Sequence, residues 1–79
     1  MSKPKVMLFG AEWCASCKSM KQVLESVADI EYIDIDSDVS AHLVKDHQIR
    51  GVPTYINTEN GKRGVGLKSL EDAKYTLGL

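Results

Sequence analysis

Cys14 and Cys17 are the only cysteines of this 79-residue sequence, and two residues lie between them. Such a pair has two chemistries open to it, reversible disulfide formation or half of a tetrahedral zinc site. At the start of a helix, positions three apart hold their Cα atoms about 5 to 6 Å apart, which is the span of an ordinary disulfide. The ring can close and reopen without moving the backbone far. The unpaired N–H groups and partial positive charge of a helix N-terminus favour thiolate over thiol. Thiols so placed fall from a pKa of about 8.5 to between roughly 3.5 and 7.5. Cys14 is therefore read as the nucleophile. Cys17, one turn further in, turns toward the interior and is read as the resolving thiol that attacks a mixed disulfide from inside.

Two other readings of the pair are weaker. His42 and His47 would complete a Cys₂His₂ zinc set, but 24 residues separate Cys17 from His42, against about 12 in a zinc finger. Two reduced cysteines used as small hydrophobes would not explain a placement at a helix start. Trp13, directly before the nucleophile, is read as a wall for the reactive thiol and a flat apolar contact for an incoming polypeptide rather than as core. Lys18 and Lys21 read as a solvated helix face, and His42 and His47 as surface or boundary residues.

The elements that must position this pair are legible around it. Lys5 to Gly10 (KVMLFG) is a nearly continuous apolar run, which suits a central strand buried on both faces. From Ala15 the period changes, and Met20, Val23, Leu24 and Val27 line one face of an amphipathic helix that begins at or beside Cys14. Ile30 to Asp36 alternates and reads as a second strand, with Asp34 and Asp36 on its less buried side. Ser37 or Asp38 caps a helix from Val39 to about Asp46, with Val39, Leu43 and Val44 as its apolar stripe. Pro53 opens a third strand at Thr54, and Asn60-Gly61 turns it into a return strand, Lys62 to Val65. Ser69 starts a last helix with Glu71 and Asp72 in its first turn and Leu70, Ala73 and Leu77 on one face, and Gly78 ends it. The order β-α-β-α-β-β-α predicts an α/β fold: a four-stranded mixed sheet flanked by three helices, as one domain over residues 1–79.

Composition narrows the function. Ten Lys and Arg against eleven Asp and Glu give a formal charge of −1, so no excess of cations exists to neutralise a phosphate backbone, and nucleic acid is excluded as the main ligand. The longest apolar stretch, Val6 to Ala11, has six residues, against about 20 for a membrane helix. Lys3 and Lys5 precede it, yet it is shorter than the apolar core of a signal peptide. A cytoplasmic, monomeric protein is expected, with no bound cofactor or metal beyond a redox-active disulfide.

Ala11-Glu12-Trp13-Cys14, Cys17-Lys18 and Ile49-Arg50-Gly51-Val52-Pro53-Thr54 resemble the two signature segments of the thioredoxin family, in the family's order and spacing. The resemblance implies that the Val52–Pro53 bond is cis, that Pro53 faces the cysteines, and that Val52 pairs through its backbone with a substrate strand. Trp13, Val52, Pro53 and Thr54 are the substrate contacts it implies. It also implies protein disulfides as substrates, a flavin-containing thioredoxin reductase for recycling, and ribonucleotide reductase as an acceptor. The chain departs from the family where about eight residues precede Phe9 in place of an extra strand and helix, and where Ala15-Ser16 replaces Gly-Pro between the cysteines. The family's buried aspartate falls at Leu8 and its partner lysine at Tyr32, so proton transfer at Cys17 must use water or another group. Glutaredoxins, which act with glutathione, are the competing branch because of size. Their Cys-Pro-Tyr-Cys is absent, and Gly64-Val65-Gly66 only loosely replaces their paired glycines.

Overall fold

A computed structural model describes residues 3–79. The elements are β1 (Lys5–Gly10), α1 (Ala15–Glu25), β2 (Asp29–Asp34), a short 3₁₀ turn (Asp38–Ser40), α2 (Ala41–Asp46), β3 (Thr54–Asn57), β4 (Arg63–Val65) and α3 (Leu70–Leu77). They make one four-stranded sheet in the order β2-β1-β3-β4. β1 runs parallel to β2 and antiparallel to β3, and β3 pairs antiparallel with β4. This is the mixed sheet with three helices that the residue pattern predicts.

Alternation along β1 divides the core between the two faces of the sheet, because successive side chains of a strand point to opposite sides. Val6 and Leu8 join Tyr55 of β3 beneath α1 and α3, packing with Met20, Leu24, Ala73 and Leu77. Phe9 joins Ile33 and Ile56 on the other face, where Met7, Leu43, Val44 and Ile49 cover them. β1 is thus buried on both sides, as its unbroken apolar run requires.

α3 is fixed at both ends. The Ser69 hydroxyl accepts from the Asp72 N–H at 3.3 Å, and Gly78 closes the helix in the left-handed region at φ 71°. The Asn57 and Asn60 side-chain amides donate to the Leu77 carbonyl at 3.0 and 2.9 Å. A backbone acceptor that the helix cannot satisfy internally is thereby met by the β3–β4 turn. In that turn only Gly61 takes positive φ, while the Asn60 side-chain Oδ1 accepts from the Lys62 N–H at 2.8 Å.

Element boundaries differ from the sequence reading in three places; the return strand starts at Arg63 rather than Lys62, and the other two have a clear physical cause. β2 begins at Asp29 and stops at Asp34 rather than running from Ile30 to Asp36, because β1 ends at Gly10, whose carbonyl takes the last bond, from the Ile35 N–H, at 2.9 Å. Val39 is 81% exposed rather than part of an apolar stripe. The chain there winds as a 3₁₀ turn before α2 begins at Ala41, and its tighter three-residue period rotates Val39 away from Leu43 and Val44.

Candidate redox site at the start of the first helix

Cys14 is the N-cap of α1, with extended backbone at φ −98° and ψ 100°, and its sulfur accepts a hydrogen bond from the Cys17 N–H at 3.1 Å. The Cys14 N–H is itself held by the Ala11 carbonyl at 3.1 Å. Cys14 and Cys17 form a disulfide across a Cα–Cα distance of 5.3 Å. Cys14 is 8% exposed and Cys17 is fully buried, so the two residues differ in access. The first turn of α1 carries no acidic side chain. The partial positive charge of the helix start therefore meets no opposing carboxylate from within that turn.

Around the pair, Ala11, Ile35 and Val52 complete a small apolar cluster with both cysteines. The Val52–Pro53 peptide bond is cis. Pro53 is buried, and its carbonyl accepts from the Gly66 N–H at 2.9 Å, which ties the loop before β3 to the end of β4. Gly66 takes positive φ there, a conformation that costs glycine little. Thr54 is buried and its hydroxyl donates to the Gly51 carbonyl at 2.6 Å. That side chain holds the loop in shape and presents no free face to a partner.

Trp13 is 69% exposed, beside the disulfide and outside the core. Its indole N–H donates to an Asp36 carboxylate oxygen at 2.8 Å, and the Asp36 N–H donates to Asp34 Oδ1 at 2.9 Å. The ring is exposed yet oriented. Asp36 and Ile35 were not singled out from the sequence as site residues. They come to the site through the β1–β2 pairing, and the only advance sign was their alternation in IEYIDID.

Tyr32 is the other residue that sequence reasoning left without a role. It sits opposite Leu8 in the register of β1 and β2, and its hydroxyl reaches the Ala11 carbonyl at 3.5 Å. Burial first, then the carboxylates of Asp34 and Glu12, push its ionisation above the ordinary tyrosine range. Leu8 is fully buried in the apolar cluster under α1.

The histidines lie elsewhere. His42 is exposed, and the half-buried His47 ring lies 5.8 Å from Phe9, centroid to centroid, while its carbonyl accepts from Arg63. Among the described residues no group of three or more His, Cys, Asp or Glu side chains gathers to hold a metal ion. Among the same residues no helix is long and apolar enough to cross a membrane.

Comparison with known proteins places this site in a family. The Thioredoxin family model matches residues 1–76. A thioredoxin of Mycolicibacterium smegmatis is 36% identical over 77 residues, covering 85% of this chain and 69% of that protein. A thioredoxin of Acidithiobacillus ferridurans is 37% identical over 67 residues, covering 77% of this chain and 61% of that protein. In fold, the chain is similar to a mutant thioredoxin from Halobacterium salinarum, with a TM-score of 0.73 at 24% identity over 99% of this chain and 78% of that one. The chain belongs to the thioredoxin family, and its Cys14–Cys17 pair carries the thiol-disulfide oxidoreductase chemistry of that family.

Proposed function

We propose that this chain reduces disulfide bonds in partner proteins, with Cys14 as nucleophile and Cys17 as resolving thiol. The observation that carries the reading is the asymmetry of the pair: Cys14 caps α1 and keeps 8% of its surface exposed, whereas Cys17 is fully buried one turn behind it. The Cys14 thiolate attacks one sulfur of the partner disulfide, forming a mixed disulfide and releasing one partner thiolate, which takes up a proton. The Cys17 thiolate then attacks the Cys14 sulfur, the Cys14–Cys17 bond closes, and the second partner thiolate leaves. The partner gains two electrons and the chain loses them.

Trp13 and Val52, with Pro53 behind them, form the contact surface for the partner's extended segment in this reading, and Thr54 supports it through Gly51. The apolar cluster of Ala11, Ile35 and Val52 around the sulfurs supports it, since a water-poor surface strengthens polar contacts made there. We further propose that residues 1–79 act as a single domain, monomeric and cytoplasmic. A flavin-containing thioredoxin reductase would return the pair to the dithiol, and ribonucleotide reductase is a candidate acceptor.

Insulin-disulfide reduction with dithiothreitol tests the mechanism. Cys14→Ser should fall to the rate of dithiothreitol alone, and activity surviving it ends the reading. Cys17→Ser should accumulate a mixed disulfide on Cys14; if no adduct is trapped, the assigned roles are wrong. NADPH with a thioredoxin reductase should sustain turnover, whereas sustained turnover on glutathione alone would move the chain to the glutathione-linked branch.

A further inference from the structure

Gly10 is the last residue of β1, and it is enclosed by two side chains. A Cβ placed on it would lie 2.8 Å from Tyr32 Cζ and 2.9 Å from Cys17 Cβ. Real Cβ atoms essentially never show contacts that short, and Cys17 Cβ is tied directly to the helix backbone, so a side chain at this position would force a shift and glycine serves here for close approach rather than for backbone freedom. Tyr32 and Cys17 consequently face each other across a bare Cα, with the phenol hydroxyl at the Gly10 end of the ring. That hydroxyl's bond to the Ala11 carbonyl is long, at 3.5 Å, near the limit at which such a bond still counts. Its proton is therefore weakly engaged while the disulfide is closed.

Resting on the assignment of Cys17 as resolving thiol, we infer that Tyr32 is a positioning residue for it: in the dithiol form the phenol donates a hydrogen bond to the Cys17 sulfur and favours the thiolate. The need is physical. Cys17 is fully buried among Ala11, Ile35 and Val52, and an apolar surrounding disfavours a charged sulfur. A hydrogen bond to the charged form works against that penalty. The phenol keeps its proton throughout. Cys17 gives its proton to solvent, its thiolate attacks the Cys14 sulfur, and the departing partner thiolate takes up a proton, so the step balances without a net change on Tyr32.

The surroundings suit that role. A groove of about 310 Å³, open to solvent, runs along Tyr32 between Glu12, Lys18, Lys21, Gln22 and Glu25. The Lys21 ammonium lies 5.8 Å from the centroid of the Tyr32 ring. Asp34 and Glu12, together with burial, hold the phenol protonated. The charged groups that face Tyr32 are thus Asp34 on its own strand, Glu12 before α1, and Lys18, Lys21 and Glu25 on α1.

Tyr32→Phe tests the inference, since it keeps the ring and removes only the hydroxyl. The reduced protein is mixed with an aromatic disulfide whose thiolate is coloured, and stopped-flow absorbance resolves two successive releases, first by Cys14 attack and then by Cys17 resolution. In Tyr32→Phe the midpoint of the second release should move up by about one pH unit. At neutral pH the thiolate fraction then falls about tenfold, and the greater nucleophilicity of a more basic thiolate recovers about threefold, leaving resolution roughly threefold slower. The first release should be unchanged. Superimposable profiles overturn the inference, and so does an equal slowing of both releases, which marks Tyr32 as merely structural. In the unmutated dithiol protein, the ¹³Cζ resonance of Tyr32 should titrate with Cys17, and a resonance that stays still overturns the inference independently of any variant. A trapped adduct in Cys17→Ser beside a flat Tyr32→Phe profile removes this inference alone, whereas no adduct removes the mechanism beneath it.

Discussion

α1 has eleven residues, begins on the Cys14 side-chain cap and fully buries Cys17, Met20 and Leu24. α2, on the opposite face of the same sheet, has six residues, begins on Ser40 without a side-chain cap bond and buries none of its residues fully. α1 and its neighbour α3 hold the platform on which two sulfur atoms must meet. α2 covers Phe9, Ile33 and Ile56 with half-buried Leu43 and Val44. A short helix gains little from its own hydrogen bonds, so α2 owes its shape to that covering contact. The difference places rigidity where the chemistry needs fixed geometry and leaves the far face as the softer one.

Truncating one leucine on each helix gives the largest contrast. Leu24→Ala should lower stability by about 2 to 5 kcal/mol in urea unfolding, the usual cost of a cavity at a fully buried leucine. Leu43→Ala, at a half-buried position, should cost less than about 2 kcal/mol. Equal losses would dissolve the distinction between the faces.

Alkaline pH separates them next. Tyr55 lies in the cluster beneath α1 and α3, its hydroxyl donates to the Gly66 carbonyl at 3.0 Å, and burial pushes its pKa up to about 12. Because the folded value lies above the unfolded one, near 10, this contribution is complete below pH 10 and is lost as pH rises toward 12. Thermal melts of the wild type should fall across that window, and Tyr55→Phe should flatten the decline while lowering stability at neutral pH. A decline of equal slope in the variant would show that another group is responsible.

Caps give the smallest contrast. Ser69→Ala removes a cap that accepts from Asp72 and should cost about 1 kcal/mol. Ser40→Ala, where no cap bond exists, should stay within about 0.5 kcal/mol. A larger loss at Ser40 would mean that α2 is better anchored than its geometry shows.

The same division explains what the sequence could reveal. The Cys14–Cys17 pair, the helix behind it and the buried strand before it were legible because each is a local pattern: spacing of three, an apolar period near 3.6, an unbroken apolar run. The cap of α3 at Ser69 and its stop at Gly78 were legible for the same reason. Val39 misled because a four-residue spacing to Leu43 looks helical whether or not the chain winds as an α-helix there. Asp36 beneath the Trp13 indole and Tyr32 against Gly10 were hidden because strand pairing makes those contacts, across separations of 23 and 22 residues. Gly10 carried a faint sign, a glycine ending an apolar strand, but nothing in its neighbours told which side chain approaches it.

Trp13 is the single tryptophan of the chain. Its indole is mostly in water, is held by Asp36, and belongs to the residue directly before Cys14, which is bonded to Cys17. A disulfide quenches a nearby excited indole far more strongly than a thiol does. Emission from that one ring should therefore rise when dithiothreitol reduces the Cys14–Cys17 bond, a fluorescence readout with no label added and no competing tryptophan signal.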